Sequence, residues 1–387
     1  MKNNLLQQFT KIFGEHGDIK TFFAPGRVNL IGEHTDYNGG LVFPCALTIG
    51  TYAVVRKRED RKLRFYSMNF EELGIIESDI DSLVNVKDHD WANYPKGVIW
   101  AFEQNGYVVD SGFDVLIFGN IPNGSGLSSS ASLEVLTGFI LKELFSFDID
   151  MIKIALISQQ AENKFIGVNC GIMDQFAIAM GKENHAIFLD TATLHYEYAP
   201  LKLEGIKIVI ANTNKRRGLG ESKYNERRSE CEHALEELKK VVDIKSLGDL
   251  SEEEFEKYSH VIHSDIERKR AKHAVYENQR TIKAVKALQD NDLTEFGRLM
   301  IASHNSLRDD YEVTGNELDT LVDAALKQEG VIGSRMTGAG FGGCTVSLVK
   351  EESVDSFLIE VGKEYLEKIG YEATFYVVDV GNGPSYL

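Results

Sequence analysis

The chain is short of positive charge. Its 42 lysines and arginines face 59 aspartates and glutamates, for a formal net charge of −17 at neutral pH. Such a surface repels a phosphate backbone or an anionic bilayer over most of its area, so broad nucleic-acid or membrane-surface binding is not expected, and an anionic substrate needs a local exception. Cysteine is scarce as well. Cys45, Cys170, Cys231 and Cys344 stand far apart, with no CxxC pair and no histidine at metal-ligand spacing, which argues against a zinc site and a disulfide framework. No apolar stretch approaches the roughly 18 uncharged residues of a membrane span. The opening MKNNLLQQFTKIFGEHGD also brings Gln, Asn and acidic residues before an apolar run reaches signal-peptide length. The expected compartment is the cytoplasm. Internal repeats and low-complexity linkers are missing, as are the GK[ST] of a Walker A loop and the HRD and DFG elements of protein kinases.

What is present describes a large globular protein. With 387 residues, 43% hydrophobic and 26% charged, the chain exceeds the size at which one core usually stops growing, so two domains are expected. Val42 to Val55, Leu63 to Tyr66 and Phe113 to Phe118 are rich in β-branched and aromatic residues and predict strands. Leu133, Leu136, Ile140, Leu141 and Leu144 recur at helical spacing between Ser130 and Leu144, and a second helix is expected over Met151 to Asn163. Further strands are read at Ala186 to Leu189, Leu194 to Tyr198 and Ile206 to Ile210, followed by long charged helices at Glu221 to Val242 and Ile266 to Leu288. The tail places strands at Cys344 to Val349 and Thr374 to Val380 around a helix at Val354 to Ile369, a helix-on-sheet α+β unit. A boundary near Gly205 therefore divides the chain into 1–205 and 206–387.

Three segments carry chemistry. Pro122 to Ser132, PNGSGLSSSAS, lies between a strand and a helix; Gly124 and Gly126 let the backbone turn and approach a ligand, while serines leave amides at a helix N-terminus facing outward. The helix dipole makes this a place for phosphates, and Ser130 could offer its hydroxyl to a magnesium ion. A Ser-capped loop that binds nothing is the alternative, and the segment alone does not separate the two. Gly338 to Gly343, GAGFGG, satisfies GxGxxG, but a strand follows it rather than a helix, which favours a tight turn over a dinucleotide fold. Ala24 to Gly40, APGRVNLIGEHTDYNGG, gathers Arg27, Glu33, His34, Asp36 and Tyr37 around Leu30 and Ile31. It is either a surface loop of solvated charges or a core-anchored segment displaying carboxylates and imidazole, good partners for the hydroxyls of a small polyol.

In this order the three segments resemble the GHMP kinase family over nearly the whole chain, and GRVNLIGEHTDYNGG resembles the signature of its galactose-phosphorylating branch. The resemblance implies an α+β fold of two domains. The first would be a mixed sheet with helices, like a ribosomal-protein domain; the second would be ferredoxin-like, with the active site in the cleft between them. The implied reaction moves the γ-phosphoryl group of ATP onto the anomeric hydroxyl of galactose, the first committed step of galactose catabolism, with magnesium as cofactor and the protein acting as a monomer. Asp174 in GIMDQF resembles the catalytic carboxylate and Arg27 the basic residue beside it; read alone, Asp174 could equally cap a helix. Arg27 would keep that carboxylate ionised and offset charge in the transition state. Glu33, His34, Thr35, Asp36 and Tyr224 match galactose-contacting positions, and Ser130 and Glu162 match magnesium ligands. Gly124, Ser125, Gly126, Leu127, Ser128, Ser129 and Ser130 resemble the phosphate cradle, and Ser67 falls near a nucleotide contact.

Other readings compete. The closest is a relative acting on another small alcohol, such as N-acetylgalactosamine, mevalonate or homoserine, against which Glu33, His34 and Asp36 argue for an unmodified sugar. A sensor that binds galactose and ATP without reacting them would lose part of GLSSSAS, which is complete here. Nucleic-acid binding would have to use Lys215, Arg216 and Arg217 or the run Arg268 to Lys272, and charge runs of this kind are usually solvated helix faces.

Overall fold

A computed structural model describes residues 1–121, 126–215 and 220–387. Strands β1 (Ile19–Asn29), β2 (Leu41–Val42), β3 (Pro44–Lys57), β4 (Lys62–Ser67), β5 (Ile76–Asp79) and β6 (Phe113–Gly119) come first. They are followed by β7 (His185–Asp190), β8 (Tyr196–Pro200), β9 (Ile206–Asn212), β10 (Val331–Thr337), β11 (Cys344–Lys350), β12 (Thr374–Val378) and β13 (Ser385–Tyr386). Helix α1 (Lys2–Phe13) precedes β1, and α2 (Asn93–Gln104) precedes β6. Between β6 and β7 run α3 (Ser129–Phe145), α4 (Met151–Ala161) and α5 (Met173–Ala179). Between β9 and β10 run α6 (Gly220–Leu238), α7 (Glu252–Tyr258), α8 (Asp265–Gln289), α9 (Leu293–Asp309) and α10 (Asn316–Ala325), and α11 (Val354–Ile369) joins β11 to β12.

The first sheet has the order β13-β1-β3-β6-β4-β5 and is mixed, because β4 runs parallel to β6 while the other pairs are antiparallel. One face packs on α2, α3 and α4 through Phe65, Phe102, Leu136 and Ile154, and the other is covered by Leu5 and Phe9 of α1. The second sheet, β10-β11-β9-β12, is antiparallel. Alternation along its strands sends Val209, Ala211 and Val349 toward α10 and α11, and Ile208, Ile210, Val346 and Leu348 toward the first domain. There they join Val28, Ile31, Phe43 and Leu47 in one buried cluster, so the two halves share a core. The last strand also returns to the first half, where Phe22 pairs with Tyr386. The expected α+β architecture, a mixed sheet with helices followed by an antiparallel helix-covered sheet, is the observed one.

Several elements depart from their sequence reading. The strand expected over Val42 to Val55 is split at Phe43, and the one expected from Leu194 begins at Tyr196 because Leu194 has a left-handed φ of 60°. The helix from Met151 ends at Ala161 and continues as a wider turn, Glu162–Ile166. Helix α6 stops at Leu238 rather than Val242. Helices α1, α2, α9 and α10 and strand β10 escaped the sequence reading. In α9 and β10 the buried positions include Gly297, Ser303, His304, Ser334 and Arg335, which blur an apolar period. Gly297 is required there, since a Cβ would stand 1.9 Å from the Ile332 carbonyl oxygen.

Candidate active site

The segment after β1 leaves the sheet through an irregular backbone. Gly32 and His34 have φ of +96° and 60°, and this places Glu33, His34, Asp36 and Tyr37 along one wall of a cavity of about 230 Å³. Other walls come from Gly126 and Ser128 to Ser130 at the start of α3, from Glu162 and the stretch before α5, from Tyr224 of α6, and from Gly338 to Phe341. Two glycine-rich segments meet here: a Cβ on Gly338 would lie 2.7 Å from the Gly126 carbonyl oxygen. The GAGFGG run is the expected turn, joining β10 to β11, and it is also part of the cavity.

Asp174, in the first turn of α5, is held at both oxygens. Arg27 Nε donates to Oδ1 at 2.8 Å, and Ser128 donates its hydroxyl to Oδ2. Arg27 also donates to the Gly126 carbonyl at 2.6 Å, tying the carboxylate to the glycine loop. Burial works against the Arg27 charge, but Asp174 and Glu33 outweigh it and raise its pKa, so the guanidinium stays cationic. Ser128 occupies the N-cap of α3 in a left-handed conformation, φ 60°, with its side chain spent on Asp174 instead of the helix. The 17-residue α3 thus has no side-chain cap, and its first-turn amides remain for a ligand anion.

The sugar-signature wall is ordered by hydrogen bonds. Glu33, 1% exposed, accepts from the Gly338 amide at 2.7 Å and the Thr337 hydroxyl at 3.0 Å, with Arg335 Nη1 at 3.4 Å. His34 Nδ1 bonds the Tyr37 hydroxyl at 2.7 Å, which bonds Tyr311 at 2.8 Å; burial, then nearby His273, pushes His34 down to about 3, leaving it neutral. Burial and the Asp174 charge push Asp36 up to about 7, and its Oδ2 fills the place where a Cβ on Gly171 would stand 1.8 Å away. The Tyr224 ring lies 5.7 Å from His34 and 5.4 Å from Tyr37.

A second acidic group lies beyond Asp174. Glu162 accepts from Gln175 Nε2 at 2.6 Å and hydrogen-bonds the Ser130 hydroxyl. Burial and then the Asp174 charge raise Glu162 to about 7. Gln175 also reaches Glu134, whose Oε1 is buried without a hydrogen bond and whose pKa burial and Glu162 push well above the carboxylate range. Among the described residues no cation pairs with Glu162 or Glu134, and Ser130 and Glu162 are hard oxygen donors lining the cavity, so the pair fits a magnesium ion. Among the described residues no group of three or more His, Cys, Asp or Glu side chains is placed to hold a metal ion.

Of the residues singled out from sequence, Arg27, Glu33, His34, Asp36, Gly126, Ser128, Ser129, Ser130, Glu162, Asp174 and Tyr224 come together in this cavity. Gly124 and Ser125 lie outside the described residues. Leu127 is buried behind the loop, in the core shared by the two halves. Thr35 does not line the cavity, because its hydroxyl donates to the carbonyls of Gly32 and Leu41. Ser67 ends β4 away from it and accepts from the Asn69 amide. Thr337, Tyr311, Gln175 and Glu277 were not found from sequence, although Thr337 adjoins the GAGFGG run and Gln175 stands beside Asp174 in GIMDQF. The basic run is not wholly solvated: Arg270 is 2% exposed and pairs with Glu230 and Glu312, while Lys215 pairs with Glu317 and Arg216 and Arg217 lie outside the described residues.

An acid held between a sugar-type wall and an uncapped helix N-terminus, in a cleft between a mixed and a ferredoxin-like sheet, defines a small-molecule phosphotransferase of the GHMP kinase class. Family models agree: GHMP kinases N terminal domain matches residues 93–182, GHMP kinases C terminal matches 284–368, and galactokinase galactose-binding signature matches 7–57. A galactokinase from Clostridium beijerinckii is 65% identical over 381 residues, 98% of each chain. The crystal structure of Lactococcus lactis galactokinase complexed with galactose superposes with a TM-score of 0.98 at 51% identity over 100% of both chains. A mevalonate kinase structure, TM-score 0.65 at 19% identity over 95% of this chain and 100% of its own, shares the fold. The chain belongs to the galactokinase family. Among the described residues no helix is long and apolar enough to cross a membrane.

Proposed function

We infer that the protein transfers the γ-phosphoryl group of ATP to the anomeric hydroxyl of galactose, giving galactose 1-phosphate and ADP. The observation that carries this reading is the placement of Asp174. Its carboxylate, fixed by Arg27 and Ser128, faces the same cavity as the sugar-signature side chains and the start of α3. Phosphoryl transfer needs positioning and charge stabilisation more than covalent help from the protein.

Each residue has a task in this reading. Glu33, neutral His34, Asp36 and Tyr224 bind and orient the sugar hydroxyls. Asp174 accepts the proton of the attacking hydroxyl, and the Arg27 charge offsets negative charge that develops at the junction. The free amides at the start of α3 bind the phosphates, which supplies the local exception that an anionic substrate requires in so acidic a chain. Ser130 and Glu162 would hold magnesium, which when bound neutralises triphosphate charge. The division into 1–205 and 206–387, with Ser385–Tyr386 returned to the first sheet, belongs to the same proposal, as do a monomeric state and a cytoplasmic location.

The test is ADP release measured with galactose, N-acetylgalactosamine, mevalonate and homoserine as acceptors. Galactose-dependent release is the expected result. Activity on mevalonate but not galactose would sink the substrate assignment, and tight binding of galactose and ATP without ADP release would point to a sensor.

A further inference from the structure

Helix α8 is charged along much of its length, yet it buries a polar stripe of His273, Glu277, Asn278 and Thr281. The stripe ends on the main chain of the sugar-signature segment. His273 Nε2 meets the Glu33 carbonyl at 3.1 Å, and Asn278 Oδ1 accepts from the Leu41 amide at 2.8 Å. Glu277 Oε1 accepts from the amides of Gly32 at 3.0 Å and Glu33 at 3.4 Å, and from the Ser303 hydroxyl at 2.5 Å. Ser303 in turn accepts from Arg335 Nε at 3.2 Å, and Arg335 reaches the Glu33 carboxylate. The circuit closes on Glu33: Glu277 holds its backbone, Arg335 its side chain, and Ser303 links the two.

The backbone there needs such help. Left-handed φ at Gly32 and His34 takes Glu33 out of the β-ladder, so its amide and that of Gly32 require an outside acceptor. A buried ion network adds little stability over an apolar set of equal volume, but its directional hydrogen bonds fix position. Burial opposes the Glu277 charge, but Arg280, His273 and Arg335 bring it down to about 2, so the acceptor keeps its charge at neutral pH.

We propose that Glu277, acting with Ser303 and Arg335, is a positioning residue of the galactose site: it sets the placement of Gly32 and Glu33, and thereby sugar affinity, without touching the sugar. This rests on the cavity being a galactose site. Glu277→Gln and Ser303→Ala test it through galactose affinity by calorimetry without nucleotide, separate KM values for galactose and ATP, and melting temperature. Glu277→Gln is expected to weaken galactose roughly tenfold and Ser303→Ala about threefold, with the KM for ATP within about twofold of wild type. Folded variants with unchanged galactose affinity, or a KM for ATP that rises in step, overturn the proposal; if Glu277→Gln does not fold, Ser303→Ala decides by the same criterion. A wild-type protein without galactose-dependent ADP release defeats the functional reading instead, whereas an active wild type with unaffected variants defeats only the positioning role.

Discussion

Buried carboxylates flank the cavity on two sides, and their surroundings are opposite. Around Glu33 and Glu277 they meet two arginines, backbone amides and hydroxyls, and Glu277 is held down to about 2. Around Glu162 and Glu134 they meet the Gln175 amide, the Ser130 hydroxyl, the Cys170 thiol and other acids, and both are pushed up. The compensated side carries its own counter-charges. Among the described residues the other side shows no ion pair of its own, and it is there that the proposed magnesium and triphosphate would sit.

Mutations can break this contrast. The largest effect is expected from Asp174→Ala, which should cost about 10²- to 10⁴-fold in turnover while calorimetry still detects galactose binding; near-normal turnover would falsify its role as base. Glu162→Gln should lower kcat about 10- to 100-fold at fixed magnesium, with partial recovery as magnesium is raised. Its melting temperature without nucleotide should hold or rise, because the carboxylate removed is one that burial and Asp174 already disfavour. A fall in melting temperature with an unaltered magnesium requirement would move Glu162 to the structural side.

Smaller effects sharpen the comparison at Asp36. Gly171→Ala places a methyl group where the Asp36 carboxylate sits, and the galactose KM should rise about tenfold with little change for ATP; an unchanged KM would show that the carboxylate can move freely. Asp36→Asn addresses pH. Its folded value near 7 lies above the unfolded value of about 4, so the folded protein holds this proton between the two, and the stability it contributes is lost as pH rises toward 7. Asp36→Asn should therefore melt higher than wild type at pH 8, by on the order of 1 to 3 kcal/mol after allowing for water in the cavity, and equal it near pH 4. A gain that persists at pH 4 would assign the effect to packing rather than charge.

Much of the cavity could be anticipated because its residues travel in motifs. Arg27 through Asp36 occupy one segment, Ser128 to Ser130 another, and Asp174 sits two residues beyond Ile172 at the head of α5. Thr35 shows the limit of such reading, since it lies in the same segment but spends its hydroxyl on two carbonyls of its own loop. Gln175, Glu277, Ser303 and Arg335 were invisible for a different reason. Each stands beside other polar residues, as Gln175 beside Asp174, Glu277 beside Asn278, Ser303 beside His304 and Arg335 beside Ser334, and polar residues so placed in a helix or strand normally read as surface. Likewise nothing local predicts that Ser385–Tyr386 should pair with β1, because a ladder between the two ends of a chain depends on everything folded between them.

The amino-acid order by itself determined the local devices: glycines where the backbone must turn left or pass close, serines ahead of α3, apolar periods that commit segments to strand or helix, and the carboxylates and imidazole set side by side after β1. Only the tertiary structure decided which buried charges find partners. Glu33 meets Arg335 from a distant strand, and Glu277 feels that same arginine as well as Arg280 one turn along its own helix, whereas Glu162 and Glu134 are left beside other acids. Electrostatic compensation acts through space over a few ångströms, and apart from a one-turn pair such as Glu277 with Arg280 no spacing along the chain encodes it.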